Sequence, residues 1–253
     1  MSLANEYKQQ FQWRDWPTIF DALPALQGQT VLDLGCGVGD LAAEFVSRGA
    51  RVIGVDINEE LLREARSRRL PNAEFRAGDL RALPDFGIAA DGLWCSFAAA
   101  YVPALPTALA AWARNLRSGG WIALTEIDDL FGHEPLSVRT KELFRSYAEG
   151  ALAAGGYDFH MGRKLQAHLQ GAGFIVSMML LVEDQELSFS GPARPEVLDA
   201  WRSRFNRMKL FREFCGPDID RVQEEFLGCL VRADHTSVAK VYCCIATTGH
   251  AHA

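Results

Sequence analysis

The sequence predicts an α/β fold: a mostly parallel sheet covered by helices on both faces, with a helical insertion ahead of a closing strand. Three observations predict it. Short β-type runs alternate with segments of helical periodicity over the first two-thirds of the chain, and parallel strands need such crossovers. The first strand runs directly into Gly35, Gly37 and Gly39 and then into a helical pattern. The alternation stops at Pro192, where two helix-like segments precede one last strand.

Taken in order, Thr30 to Leu34 is a short apolar run, and Leu41, Ala42, Phe45 and Val46 then recur at helical spacing until Gly49. Arg51 to Val55 is the second strand. Asn58 is suited to cap a helix from Glu59 to Arg69, with Glu59 and Arg63 one turn apart and Pro71 ending the run. Ala73 to Arg76 and Leu93 to Phe97 are the third and fourth strands. Pro106 to Leu116 reads as a helix ended by Ser118-Gly119-Gly120, and Trp121 to Ile127 as the fifth strand. Helical segments from Leu136 to Ala154 and from Arg163 to Gln170 lead to a sixth strand, Phe174 to Val182. The insertion holds helices from Glu196 to Phe214 and from Asp218 to Val231, before a strand from Val238 to Thr247. About 40 residues is near the lower limit for folding alone, so the chain is read as one domain. Residues 1–26 form a helical cover, 27–191 with 235–248 the core, and 192–234 a lid-like insertion.

Thirty-two acidic against 26 basic residues give a net charge of -6, which disfavours long polyanions as partners. Met1 to Trp16 carries Glu6, Lys8, Arg14 and Asp15 and does not read as a signal peptide. Leu93 to Ala113 is uncharged and long enough to span a bilayer, but Pro103 and Pro106 favour a strand, a turn and a helix start. The six cysteines lack C-x-x-C spacing and read as reduced, mostly buried thiols, with the cytoplasm as the expected address. The tail from Gly249 reads as a frayed end.

The informative segment is Val31-Leu32-Asp33-Leu34-Gly35-Cys36-Gly37-Val38-Gly39-Asp40. A strand that meets glycines and then a helix lets backbone approach a ligand at the strand's carboxyl end. In the dinucleotide pattern G-x-G-x-x-G a pyrophosphate rests on the helix N-terminus. Here the spacing is G-x-G-x-G and Asp40 takes the sixth position, where a carboxylate opposes pyrophosphate but not a phosphate-free ligand. Asp56 ends the second strand, 17 residues after Gly39, and an acid there can accept both hydroxyl protons of an adenosine ribose. Asp79 follows the third strand, where it can accept from an exocyclic amine. Either acid alone reads as a cap or turn residue. Together with the glycine loop, at three strand ends, they form a constellation.

That constellation resembles the class I S-adenosylmethionine-dependent methyltransferases. Asp33 to Gly39 looks like the family's first motif, Asp56 like its ribose acid and Asp79 like its adenine-edge acid. Arg114 to Gly120 is similar to the turn before the fifth strand, with Ser118 where the family usually has proline. The resemblance is strong over 27–127 and weaker over 155–182, where Gly155 to Arg163 and Ala172-Gly173-Phe174 are similar to small-molecule, quinone-type methyltransferases. It implies a Rossmann-like, doubly wound sheet of seven strands with the last antiparallel, and S-adenosylmethionine lying over the first four. It also implies cofactor contacts from Asp33, Gly35, Cys36, Gly37, Gly39, Asp56, Ile57, Asp79, Leu80 and Phe97.

The implied reaction is methyl transfer to a small-molecule acceptor, at oxygen, nitrogen or carbon, by in-line displacement. Ser96-Phe97-Ala98-Ala99 after the fourth strand lacks the Asn/Asp-Pro-Pro-Tyr run of nucleic-acid amino methyltransferases and the paired glutamates of protein-arginine enzymes. Asp128-Asp129 imitates half of a catechol-type magnesium site, but Ser96 and Phe97 cannot supply the other acid, so no metal is expected. Candidate bases are His133, His160 and Tyr101, each of which also reads as an ordinary loop residue. His168, His235, His250 and His252 attract no role. Tyr7, Trp13 and Trp16, with the insertion, are candidate cover for the site. Within the insertion, Trp201, Phe205 and Met208 form one helical stripe flanked by cations. Those cations read either as a solvated face or, at Arg204 and Arg207, as partners for a carboxylate on the acceptor. Two other classes stay open: a non-catalytic S-adenosylmethionine-binding module, and a nicotinamide-dependent oxidoreductase, which asks for glycine near position 40.

Overall fold

The computed structural model describes residues 3–249; His250 and His252 of the tail lie outside them. Leu3–Phe11 (α1) and Trp16–Ala22 (α2) precede the sheet. The strands of the first half are Thr30–Leu34 (β1), Arg51–Asp56 (β2), Ala73–Ala77 (β3), Ala90–Ser96 (β4) and Leu116–Asp128 (β5). Asp40–Ser47 (α3), Glu59–Ser67 (α4) and Leu105–Ala113 (α5) lie between them. The second half adds His133–Glu134 (β6), Val138–Ala153 (α6), Met161–Gly171 (α7) and Phe174–Val182 (β7). Pro195–Arg207 (α8), Lys209–Cys215 (α9) and Ile219–Leu230 (α10) follow, then Thr236–Ser237 (β8) and Lys240–Thr248 (β9).

The main sheet has seven strands in the order β3-β2-β1-β4-β5-β9-β7. β1 to β5 pair in parallel, and β9 runs antiparallel to both its neighbours, as the resemblance implied. Side chains alternate across it. Leu32, Leu34, Ile53, Leu93, Ile122 and Leu124 face α5 and α7, while Val31, Val52, Trp94, Trp121 and Ala123 face α2 and α3. Both faces are buried, which is why these strands read as continuous apolar runs.

Three elements depart from the sequence reading. The helix expected from Glu196 to Phe214 is two, because Met208 (φ -74°, ψ 68°) leaves helical backbone between α8 and α9. The break turns Phe211 into the ring stack of Phe131 and Phe144, at centroid distances of 5.5 and 5.6 Å. The Ser118-Gly119-Gly120 turn lies inside β5 rather than ahead of it, at a register shift opposite Ala90 and Gly92. Gly92 is needed there: a Cβ would sit 2.0 Å from the Trp121 ring. The closing strand is preceded by β8, which pairs with β6 and ties the loop after β5 to the chain entering β9.

Helices α8 to α10 have no core of their own. Trp201, Phe205, Phe211 and Phe226 are fully buried and continuous with Phe131, Phe144 and Ile127 of the main core. All six cysteines are buried and free. Among the described residues no helix is long and apolar enough to cross a membrane.

Candidate functional site

A cavity of about 540 Å³ opens at the carboxyl ends of β1, β2 and β4, roofed by α1, Trp16 and Arg204 of α8. Local sequence shapes its floor. The backbone takes positive φ at Gly35 (75°), Gly37 (53°) and Gly39 (76°) as β1 passes into α3. A Cβ on Gly35 would lie 2.5 Å from that of Ala98, so only glycine admits this close approach. The loop is stitched to β2, since the amides of Gly35 and Cys36 both donate to the Val55 carbonyl, at 2.7 and 3.1 Å.

Asp56 is held by backbone on both oxygens: Oδ2 accepts from the Gly37 amide at 2.9 Å and Oδ1 from the Asn58 amide at 2.8 Å. Asn58 in turn caps α4. Asp79 caps the turn Leu80–Ala82 and forms a two-pronged ion pair with Arg81. Gly35, Cys36, Gly37, Asp56, Ile57, Asp79, Leu80 and Phe97 all line the cavity. Gly39 does not. It lies beneath the wall, where a Cβ would meet Phe75 at 3.1 Å and Ala65 at 3.3 Å. Asp33 is also off the wall, and burial, with Asp56 adding to it, raises its carboxyl to about 7. Asp40 lines the cavity but pairs with Arg68, so its charge is balanced and opposes phosphate less than its position in the sequence implies.

Of the candidate bases only Tyr101 reaches the cavity. Its ring meets that of Tyr157 edge-on at 4.7 Å; burial raises the Tyr157 hydroxyl, while Tyr101 itself is 64% exposed. His133 is 1% exposed and packed against Trp201 and Phe226. Its Nδ1 lies 3.0 Å from Nε2 of His235, whose Nδ1 can only donate to the Gly191 carbonyl at 2.8 Å. Burial, reinforced by His235, drops His133 to about 3, so it is a neutral core residue away from the cavity. His160 precedes α7 with its Nδ1 3.4 Å from Asp128, again outside the cavity. Asp128 also accepts from Arg163 Nε at 2.6 Å. Among the described residues no group of three or more His, Cys, Asp or Glu is arranged to hold a metal ion.

Tertiary structure adds wall residues that the motifs do not reveal. Arg14 enters from the α1–α2 junction, its guanidinium 4.1 Å over the Phe97 ring and its Nε donating to Asp184 at 2.9 Å. Phe97 adopts φ 54°, unusual outside glycine, and its amide is fixed by the Thr125 carbonyl at 2.8 Å. Arg204, one of the two cations singled out in the insertion, lines the cavity and donates to Glu186. Arg207 pairs with buried Glu6 of α1 and is not on the wall. Trp13 is buried in the core, whereas Tyr7 and Trp16 face the cavity.

Comparisons with known proteins point to one family. Residues 31–120 match the methyltransferase domain family. Nocamycin O-methyltransferase from Saccharothrix syringae is 39% identical over 220 residues, covering 79% of this chain and 76% of that one. A ubiquinone biosynthesis O-methyltransferase from Paracidovorax citrulli is 34% identical over 113 residues, 43% of this chain and 48% of its own. The chain spans about half or less of the length of several curated relatives that it matches. The YcgJ protein of Bacillus subtilis shares the fold at 17% identity and a TM-score of 0.61, covering 93% of this chain and 98% of its own. On its glycine loop, its sheet order and these likenesses, the chain belongs to the class I S-adenosylmethionine-dependent methyltransferases.

Proposed function

We propose that this protein transfers a methyl group to a small-molecule acceptor seated under α1 and α8, without a metal. The observation that carries the reading is the fixed Asp56 carboxylate beside the glycine loop. Each of its oxygens spends one lone pair on an amide and keeps capacity for a ribose hydroxyl. The positive-φ glycines leave the loop without side chains where an adenosine approaches, which fits S-adenosylmethionine. When bound, that cofactor supplies an electrophilic methyl on a sulfonium. Gly35, Cys36, Gly37, Asp56 and Ile57 would hold its sugar side, and Asp79 and Leu80 its base. Phe97 and the Ala98 turn would border its reacting end. Asp33 and Gly39 would act from behind the wall, by supporting the loop.

Helix α1 and the insertion serve as cover in this reading. Gln10, Tyr7 and Arg204 close the side facing away from the sheet, which keeps water from the reacting groups. Arg204 would meet a carboxylate on the acceptor, while Arg207 would hold α1 in place through Glu6. Six free buried thiols fit a reducing compartment, and we assign the protein to the cytoplasm.

A thermal-shift comparison tests the reading. At about 100 times its dissociation constant S-adenosylhomocysteine should stabilise by roughly 2.7 kcal/mol and raise the melting point by about 5–10 °C, with NAD giving no shift. A shift with NAD alone would point to the oxidoreductase. Binding of S-adenosylhomocysteine without methylation of any acceptor in a broad panel would point to the non-catalytic module.

A further inference from the structure

We infer that the acceptor's carboxylate is itself the nucleophile, so that the product is a methyl ester and the protein uses no general base; this rests on the methyltransferase reading above. The first support is the set of titratable groups on the cavity wall. Asp40 is paired with Arg68, Asp56 is held by two amides and Asp79 is paired with Arg81, all on the β1–β3 side. The thiol of Cys36 is pushed up by burial. The phenols of Tyr7, Tyr101 and Tyr157 keep their protons at neutral pH, as tyrosines ordinarily do, and burial raises that of Tyr157 further. Among the described residues no histidine lines the cavity. An alcohol or a phenol anchored here would find no group able to take its proton at neutral pH.

The second support is the way charge is layered. Arg14 and Arg204 line the cavity, whereas Asp184 and Glu186, 3% and 0% exposed, stand behind them and do not. The two guanidinium groups converge on one carboxylate: Arg204 donates to Glu186 Oε1, and Arg14 Nη2 lies 3.7 Å from Oε2. Gln10 also donates to Oε1, at 3.2 Å. Arg14 is further fixed over Phe97, and Arg204 over Trp201 at 5.1 Å. The buried Nε of Arg204 has no partner. The wall therefore presents the positive ends of two ion pairs and hides the negative ones. Such a surface repels an ammonium and favours an oxyanion.

Phe11, Trp16, Phe97, Tyr101 and Tyr157 complete this end, which fits a carboxylate on an apolar, flat body. In the step, a carboxylate lone pair forms the new O–C bond and the methyl–sulfur bond breaks with its electron pair staying on sulfur. No proton moves, and the opposite charges of the oxyanion and the sulfonium cancel.

The test is calorimetric binding to the protein saturated with S-adenosylhomocysteine. The probes are aromatic and alkenyl carboxylic acids, each matched with its carboxamide and its primary alcohol. At least one acid should bind tenfold or more tighter than both of its neutral counterparts. Arg204→Gln alone strands buried Glu186 and risks unfolding, so the decisive variant is Arg204→Gln with Glu186→Gln. It should retain S-adenosylhomocysteine binding and lose that tenfold preference. With S-adenosylmethionine, the preferred acid should be methylated at a rate unchanged between about pH 6 and pH 9, giving a product that releases methanol in alkali. If no acid outbinds its amide, if the double variant keeps the preference, or if the alcohols are methylated and the acids are not, the inference is overturned while the function stands. Failure of S-adenosylhomocysteine to bind overturns both.

Discussion

The Asp56 carboxylate accepts a hydrogen bond from the Gly37 amide at 2.9 Å, so the end of β2 and the loop after β1 form one rigid unit. Asp56→Asn replaces one oxygen by an amide group that can only donate, and it removes the charge. Hydrogen bonds to charged groups contribute about 1.5–3 kcal/mol each, so S-adenosylhomocysteine affinity should fall roughly 10- to 100-fold. Calorimetry on the folded variant checks this, and unchanged affinity would remove Asp56 from the site.

Gly35→Ala should damage binding beyond its backbone cost. Gly28 has the same φ of 75° with nothing within 4 Å of a Cβ, whereas Gly35 would drive one to 2.5 Å from Ala98. Gly28→Ala should lose about 1–2 kcal/mol of stability from the left-handed backbone alone. Gly35→Ala should lose more and should also weaken S-adenosylhomocysteine at least tenfold, as measured by denaturant titration and calorimetry.

Stability should depend on pH through Glu126. It is fully buried on β5, its Oε1 accepts from the Ala100 amide at 2.9 Å, and burial raises its carboxyl from 4.5 to about 8. A raised folded value means that its contribution is complete below pH 4.5 and is lost as pH rises through about 8. The slope approaches about 1.4 kcal/mol per pH unit. Asp33, raised to about 7, acts with the same sign, whereas His133, lowered to about 3, costs stability as pH falls below 6.5. Glu126→Gln keeps an oxygen for Ala100 and removes the titration. Urea unfolding should show it close to the native protein near about pH 5 and more stable near about pH 9.

Phe226→Ala should cost about 3–5 kcal/mol. Its ring meets Trp201 at 4.7 Å, Phe205 at 5.2 Å and Phe144 at 5.5 Å, joining α10 to α8 and α6. Because these rings are continuous with the main core, circular dichroism and tryptophan fluorescence should report one coincident, lowered transition. Two separated transitions would mean that 192–234 folds independently.

The glycine-loop side of the cavity was legible because its signals are local. A strand, three glycines and acids at the next two strand ends follow from backbone sterics and side-chain reach over a few residues. Asp56 and Asp79 therefore stand at the cavity, as their spacing implied. The helix from Glu196 read too long because apolar spacing carries no mark of the backbone break at Met208, which the packing of Phe211 favours. His133 illustrates the limit most clearly. In sequence it is a loop histidine after a strand, and only its pairing with His235, 102 positions away, makes it a buried neutral residue.

The sequence by itself determined the layered sheet, the glycine loop and the acids beside it, since each rests on periodicity or conformational preference within a short segment. Which arginines reach the cavity wall was decided by tertiary structure. Arg14 is drawn to Asp184 and Arg204 to Glu186, and the partners of Arg14 lie about 170 positions from it. Whether an arginine faces water or a cavity depends on where its counter-ion is buried, and a linear text does not carry that information.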